Sequence, residues 1–295
     1  MRQLSILALV LWAGIAHGQI LAGTRVASGD LDGDGKVEMI LGGRSGAQGT
    51  LLVGEVRSNY VNVRAEETAG WVIRDVAVGD YAGNGTMDVF TVGDGQLAVH
   101  GYRNGKLTTL GEKRLQSNWT DRVAVLSEAG RTLVAVTEYE VRPDRDVGTM
   151  TVRGFRVEGG AFDQVWTLQV DSHIGDLSLV GGAPAHLVME TGTGDEGGDV
   201  VVYALENVPT LVWRDRVTDG RRCMSVQANG HAGVILQPIG KDAQVYRLSG
   251  GTPHYERHLV GTRGLHVTSH VSADGFVGMG LLRSGSTWSY RALID

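Results

Sequence analysis

Cysteine is almost absent from the chain. Cys223 is the only one in 295 residues, so no intrachain disulfide can form and the core must hold by packing alone. It lies in the run Cys223-Met224-Ser225-Val226, the setting of a buried, unreactive thiol; a nucleophilic thiol needs an accessible, electropositive environment. Proline is scarce too, at 5 residues, which excludes a Pro-rich disordered linker. Basic charge is not in excess. The 27 Lys and Arg stand against 33 Asp and Glu, a net charge of −6, and offer no cationic footprint for nucleic acid. Beyond residue 18, no apolar run approaches the ~20 residues of a membrane-spanning helix. The sequence also has no nucleophile elbow, P-loop, zinc-binding helix or dinucleotide fingerprint.

The first residues have the marks of a targeting segment. Met1-Arg2-Gln3 is a short positive start, Leu4 to Ala16 is nearly all apolar, and Ala16-His17-Gly18 is a small-x-small cleavage site before Gln19. This predicts a signal peptide over residues 1–18 and a secreted, periplasmic or cell-surface protein. Residues 19–295 are then read as one domain. Glycine is plentiful at 44 residues, about twice the ~7% norm, which points to many tight turns.

One pattern recurs along those residues. Arg25-Val26-Ala27-Ser28-Gly29-Asp30 matches Asp75-Val76-Ala77-Val78-Gly79-Asp80, and each is followed eight residues later by an acid, Glu38 or Asp88, and an apolar run. Fainter copies begin at Arg122, Asp176, Cys223 and Leu265. Each copy reads as four short strands with period-2 alternation. In the second copy they are expected near 71–79, 87–93, 96–102 and 107–115, with turns at Gly83-Asn84-Gly85, Gly93-Asp94-Gly95 and Asn104-Gly105. Trp71, Trp119, Trp166 and Trp213 follow one another at intervals of 48, 47 and 47 residues; Trp71 and Trp119 open an inner strand while Trp166 and Trp213 sit in an outer one, and all are read as core between packed sheets. Four-stranded units that cannot bury their own faces predict an all-β fold, a β-propeller of about six blades. The last blade is short; Gln19 to Gly23 supplies its fourth strand, or it has three. A solenoid or β-sandwich array is the structural alternative.

The densest chemistry is Asp30-Leu31-Asp32-Gly33-Asp34-Gly35-Lys36-Val37-Glu38, four carboxylates in nine residues. Asp30, Asp32 and Asp34 occupy loop positions 1, 3 and 5, the Lys36 carbonyl position 7 and Glu38 position 9. That alternation suits a hard cation taking six to eight oxygens, with Gly33 and Gly35 allowing the bends. It is not an EF-hand, because Leu41 stands at position 12. The pattern resembles the FG-GAP/VCBS repeat of integrin α-subunit propellers and of exported bacterial proteins, specifically over Val26 to Gly43. The resemblance implies a propeller with Ca2+ in the loop between the first two strands of a blade, held by Asp30, Asp32, Asp34, Lys36 (carbonyl) and Glu38. Asp80-Tyr81-Ala82-Gly83-Asn84-Gly85-Thr86-Met87-Asp88 keeps positions 1, 5 and 9, which implies a weaker site at Asp80, Asn84 and Asp88.

Other features are weaker. His254 and His258, like His266 and His270, are four residues apart and share a strand face. With only Glu256 and Asp274 nearby they are read as surface or core histidines before a transition-metal site. Two charged hairpin loops, Glu138 to Asp146 and Glu190 to Asp199, leave the end opposite the Asp30 loop, and Trp71 and Trp119 lie near that same end. Loops on a rigid scaffold are where recognition concentrates. The function expected is a non-catalytic binding module for a protein or carbohydrate ligand, monomeric and with at most peripheral membrane association. The alternatives are a polysaccharide lyase or glycosidase on the same scaffold and a structural subunit of a cell-surface assembly.

Overall fold

The computed structural model describes residues 22–57, 60–128, 130–140, 149–192, 198–217, 221–228, 231–238, 241–259, 266–272, 275–284 and 287–294. The expected signal peptide, the centres of both charged loops, Leu265 and Asp274 lie outside them. The first group of strands is β1 (Ala22–Gly29), β2 (Glu38–Ser45), β3 (Gln48–Arg57) and β4 (Tyr60–Ala69). The second is β5 (Asp75–Gly79), β6 (Asp88–Gly93), β7 (Gln96–Arg103) and β8 (Lys106–Arg114). The third is β9 (Thr120–Glu128), β10 (Arg131–Glu140), β11 (Thr149–Glu158) and β12 (Ala161–Val170). The fourth is β13 (Ile174–Val180), β14 (Ala185–Gly192), β15 (Gly198–Leu205) and β16 (Pro209–Val217). The fifth is β17 (Arg221–Ala228), β18 (His231–Pro238), β19 (Ala243–Ser249) and β20 (Thr252–Leu259), and the last is β21 (His266–Ser272), β22 (Gly275–Ser284) and β23 (Thr287–Ile294).

Each group is an antiparallel meander. Groups two to five are separate four-stranded sheets, whereas β23 meets β4 through the single pair Ser289↔Tyr60, so the first and last groups form one seven-stranded sheet. The first strands of the groups pack in succession: β1 on β5, β5 on β9, β9 on β13, β13 on β17, β17 on β21, and β21 back on β1. Each repeat found in the sequence therefore begins at one of these six inner strands.

Sequence explains the layering. The second strands have buried centres, and β6 is buried from end to end, because neighbouring sheets cover both faces; such strands read as continuous apolar runs. Outer strands such as β8 alternate between partial burial and exposure, as a strand with one solvent face must. The core lies between successive sheets. Ile40, Leu51 and Val53 of the first meet Ile73, Val76 and Val89 of the second. Phe90 and Val99 of the second meet Val134 and Phe155 of the third. Asp94-Gly95 and Asn104-Gly105, with φ of 45°, 74°, 53° and 74°, close two hairpins of the second sheet, the left-handed pair that a type I′ turn needs.

Three expectations change. The described part of Gln19–Gly23 does not complete the last group: Ala22 extends β1 and pairs with Arg44, because the residues that follow it already commit this strand to the first sheet. The second group's first strand starts at Asp75, since Val72 N–H donates to Asp94 Oδ2 at 2.9 Å and Arg74 N–H to the Val92 carbonyl at 2.8 Å. The tryptophans do not share one role. Trp166 is buried in β12, whereas Trp119, ahead of β9, is 48% exposed.

Candidate metal centre

The β1–β2 connection is the acidic loop. Its backbone is wound around its own carboxylates. Gly33 and Gly35 donate to Asp30 Oδ1 and Oδ2 at 2.8 and 2.9 Å, and Asp34 N–H to Asp32 Oδ1 at 3.2 Å. Leu31 N–H donates to Glu38 Oε2 at 2.8 Å across the neck. Glu38 is only 4% exposed. Burial pushes its carboxyl up to about 7; repulsion from Asp32, Asp34 and Asp30 adds to this, and the Leu31 amide opposes it. Asp30, Asp32 and Glu38 bring ligand oxygens within 4.8 Å of one another. Two oxygens each about 2.3–2.6 Å from one calcium ion can be no farther apart than about 5 Å, so the three fit one ion. An all-oxygen carboxylate set is the donor chemistry of a hard cation.

Asp34 stands apart from the other three. Its Oδ1 accepts from Lys36 N–H at 2.8 Å and its Oδ2 lies 2.6 Å from Lys36 Nζ; the bond to that side chain holds its carboxyl below the usual carboxylate range. Of the expected ligands, the structure thus gathers Asp30, Asp32 and Glu38 and pairs Asp34 with its neighbour.

The β5–β6 loop repeats the frame. Asp80 accepts from Asn84 N–H at 3.0 Å and Gly85 N–H at 2.7 Å, and Tyr81 N–H donates to Asp88 Oδ2 at 3.2 Å, as Leu31 does to Glu38. Asn84 Oδ1 accepts from Thr86 N–H at 2.9 Å. Ala82 stands where the first loop has Asp32, so one carboxylate fewer converges. Asp88 is fully buried, burial pushes its carboxyl up, and its Oδ1 has no hydrogen-bond partner. The nearest cation is Arg103 at the end of β7, with Nη2 3.7 Å from that oxygen. Its Nη1 donates to the carbonyls of Leu31 at 2.7 Å and Tyr102 at 2.6 Å. One guanidinium therefore spans both acidic loops, and no periodicity or motif in the sequence marks Arg103 for this.

The other end of the inner strands is also charged. Arg25, Asp75, Arg122 and Asp176 come from β1, β5, β9 and β13 and alternate in sign. Asp75 Oδ2 accepts from Val123 N–H at 3.0 Å. Arg122 Nε donates to the Gly175 carbonyl at 2.6 Å and lies 4.0 Å from Asp176 Oδ1. Burial outweighs Arg25 and Arg122 and pushes the Asp75 carboxyl up to about 6. The repeat alignment places these four residues at its first column, where the alternation was legible. Here too Arg74 lies 3.6 Å from Asp94 and 3.7 Å from Asp121, with its guanidinium 4.8 Å from the centre of the Trp119 ring.

Two further constellations lie elsewhere in the sheets. Thr91 Oγ1, His100 Nε2, His100 Nδ1 and Glu67 Oε2 form a hydroxyl–imidazole–carboxylate chain with steps of 3.0 and 3.1 Å, but Thr91 is fully buried and no substrate can reach it. It braces β6 and β7 against β4. His254 and His258 sit on β20, the end strand of its sheet, while His266 and His270 sit on β21, which pairs with β22; strand pairing does not bring the two histidine pairs together.

No family model and no curated protein matches the chain. Among solved structures the fold is similar to that of BBS1N, in a crystal structure of BBS1N in complex with ARL6DN soaked with lead. The TM-score is 0.53 at 13% identity, over 92% of this chain and 91% of that one. At that identity the likeness concerns the fold, a β-propeller-like arrangement of antiparallel sheets.

Proposed function

We propose that the chain is an exported six-bladed β-propeller, with a three-stranded last blade, that binds calcium at Asp30–Glu38 and serves as a non-catalytic binding module. The succession of inner-strand contacts from β1 round to β21 and back to β1 supports the ring. The observation that carries the calcium reading is the convergence of Asp30, Asp32 and the buried Glu38 around one point. Asp34 joins the ligand set by releasing Lys36, and the Lys36 carbonyl completes it, as in the FG-GAP/VCBS pattern. The second loop is the weaker site, because Ala82 withholds a carboxylate and Arg103 already faces Asp88. The ion braces a blade, and the ligand, a protein or a glycan, meets the opposite end. A glycan array probed with and without chelator, paired with an assay for released reducing ends, tests this. Binding without product release supports the module. Release of product from any oligosaccharide would replace it with the polysaccharide-enzyme alternative.

A further inference from the structure

We propose that Arg103 is the resident cation of the β5–β6 loop: its guanidinium takes the place of a divalent ion there and excludes one. The inference rests on the calcium reading of the first loop above. The second loop has the same frame as the first. Asp80 Oδ1 and Oδ2 accept from the Asn84 and Gly85 amides, as Asp30 accepts from Gly33 and Gly35. Asn84 Oδ1 accepts from Thr86 N–H, as Asp34 Oδ1 accepts from Lys36 N–H. A carboxylate or carbonyl oxygen that accepts one hydrogen bond keeps a second lone pair for a cation. At the end of the loop Asp88 is fully buried. Its Oδ2 accepts from Tyr81 N–H at 3.2 Å, and its Oδ1 has no hydrogen-bond partner.

A buried carboxylate with an open oxygen calls for a positive partner, because the interior screens charge poorly. The loop supplies none of its own. Asp80 to Asp88 contains no Lys or Arg, whereas the first loop carries Lys36. The cation that faces Asp88 comes from the end of β7. Arg103 Nη2 lies 3.7 Å from Asp88 Oδ1, within ion-pair range but too long for a hydrogen bond. The head is set in this position by its other nitrogen, which donates to the Leu31 and Tyr102 carbonyls at 2.7 and 2.6 Å. Leu31 is fully buried and Tyr102 nearly so, so both acceptors are fixed by the core. The Arg103 side chain is itself 45% exposed, and its head stands between the buried acid and solvent. A guanidinium and a divalent ion at Asp88 would repel each other and compete for one open oxygen. Without Arg103, Asp80 and Asp88 keep two negative charges beside the Asn84 carbonyl, an all-oxygen set for a hard cation.

Equilibrium dialysis of the full chain against calcium alone, counting ions bound per chain, tests this. The chains compared are wild type, Arg103→Lys, Arg103→Gln and Arg103→Gln with Asp80→Asn, with thermal midpoints taken in chelator and in calcium. The expected result is one ion in wild type and in Arg103→Lys, which keeps the positive charge, and two in Arg103→Gln. Adding Asp80→Asn should return the count to one. The Arg103→Gln midpoint should fall in chelator and rise further in calcium than that of the wild type. One ion in both wild type and Arg103→Gln, or two in wild type, would overturn the exclusion while leaving the first loop's calcium reading standing. A gained ion that survives Asp80→Asn, or an Arg103→Gln chain that stays unfolded even in excess calcium, would overturn it too. No ion in wild type and one in Arg103→Gln, lost with Asp80→Asn, would sustain the exclusion and contradict the first-loop reading. No ion in any of the four chains would overturn both.

Discussion

Gly33 and Gly35 take φ of +78° and +81°, and nothing lies within 4 Å of where their Cβ atoms would stand. Alanine at either position meets no steric neighbour, so its cost is that of the left-handed backbone alone, about 1–2 kcal/mol, seen as a lower thermal midpoint. These glycines were legible as bends because they alternate with the acids. Glu67 was not, since its partners His100 and Thr109 are 33 and 42 residues away. The hydrogen bond from His100 holds the Glu67 carboxyl below its ordinary value of 4.5, with Thr109 adding and burial opposing. A lowered folded-state value means that the charged form stabilises the fold. That contribution is present above 4.5 and is lost as pH falls through the folded value. Glu67→Gln should lower stability by about 1–3 kcal/mol at neutral pH, with the gap to wild type closing in acid; denaturant midpoints at pH 7 and at decreasing acid pH measure it.

Across elements, the five four-stranded groups share a feature that the sequence hid. The pairing of each group's third and fourth strands slips at one place: Val53/Gly54, Val99/His100, Gly154/Phe155, Val202/Tyr203 and Val245/Tyr246. The outer strand gains an unpaired residue there, which sharpens its twist. Leu110 and Val212 are two of these extra residues and are 46% and 41% exposed, so alternation alone misplaces them. The bulge adds to the tryptophan reading: Trp166 and Trp213, expected in outer strands, each follow a bulge residue, whereas Trp71 and Trp119 precede inner strands as expected. Gly154 lies opposite Trp166, and a Cβ there would come within 2.0 Å of the indole. Between the first two sheets, a Cβ on Gly42 would stand 2.3 Å from Val76 Cγ1 and 2.9 Å from Ile73 Cγ2. Gly42→Ala should therefore cost about 1–3 kcal/mol as the sheets are forced apart. Val76→Ala in the same chain should restore part of it, because contacting sites couple. A double-mutant cycle by chemical denaturation reads this coupling, and strict additivity would contradict the packing described.

At the scale of the whole molecule, repetition was the legible signal. Arg25, Asp75, Arg122, Asp176, Cys223 and Leu265 mark the starts of six similar stretches, and the structure puts an inner strand at each mark within a residue or a few. The join between first and last groups was not legible, because a single pair, Ser289↔Tyr60, carries it and no pattern announces one pair. The acidic loop stood out because its carboxylates are local in sequence. The charges that gather around Arg103 and Arg74 are distant in sequence and needed the fold to meet. The proposed cation site would join these scales, a local ion adding to the hydrogen bonds that already shape the first loop and so bracing a large assembly. Thermal unfolding of wild type and Asp32→Ala, each with chelator, with excess magnesium and with excess calcium, tests it most directly. Ligand binding to the folded state raises stability by about 2.7 kcal/mol at a hundredfold excess over Kd. The wild-type midpoint should therefore rise by several degrees in calcium and less in magnesium, and Asp32→Ala should show no rise. A wild-type midpoint that calcium leaves unmoved, or an equal rise in Asp32→Ala, would contradict the claim.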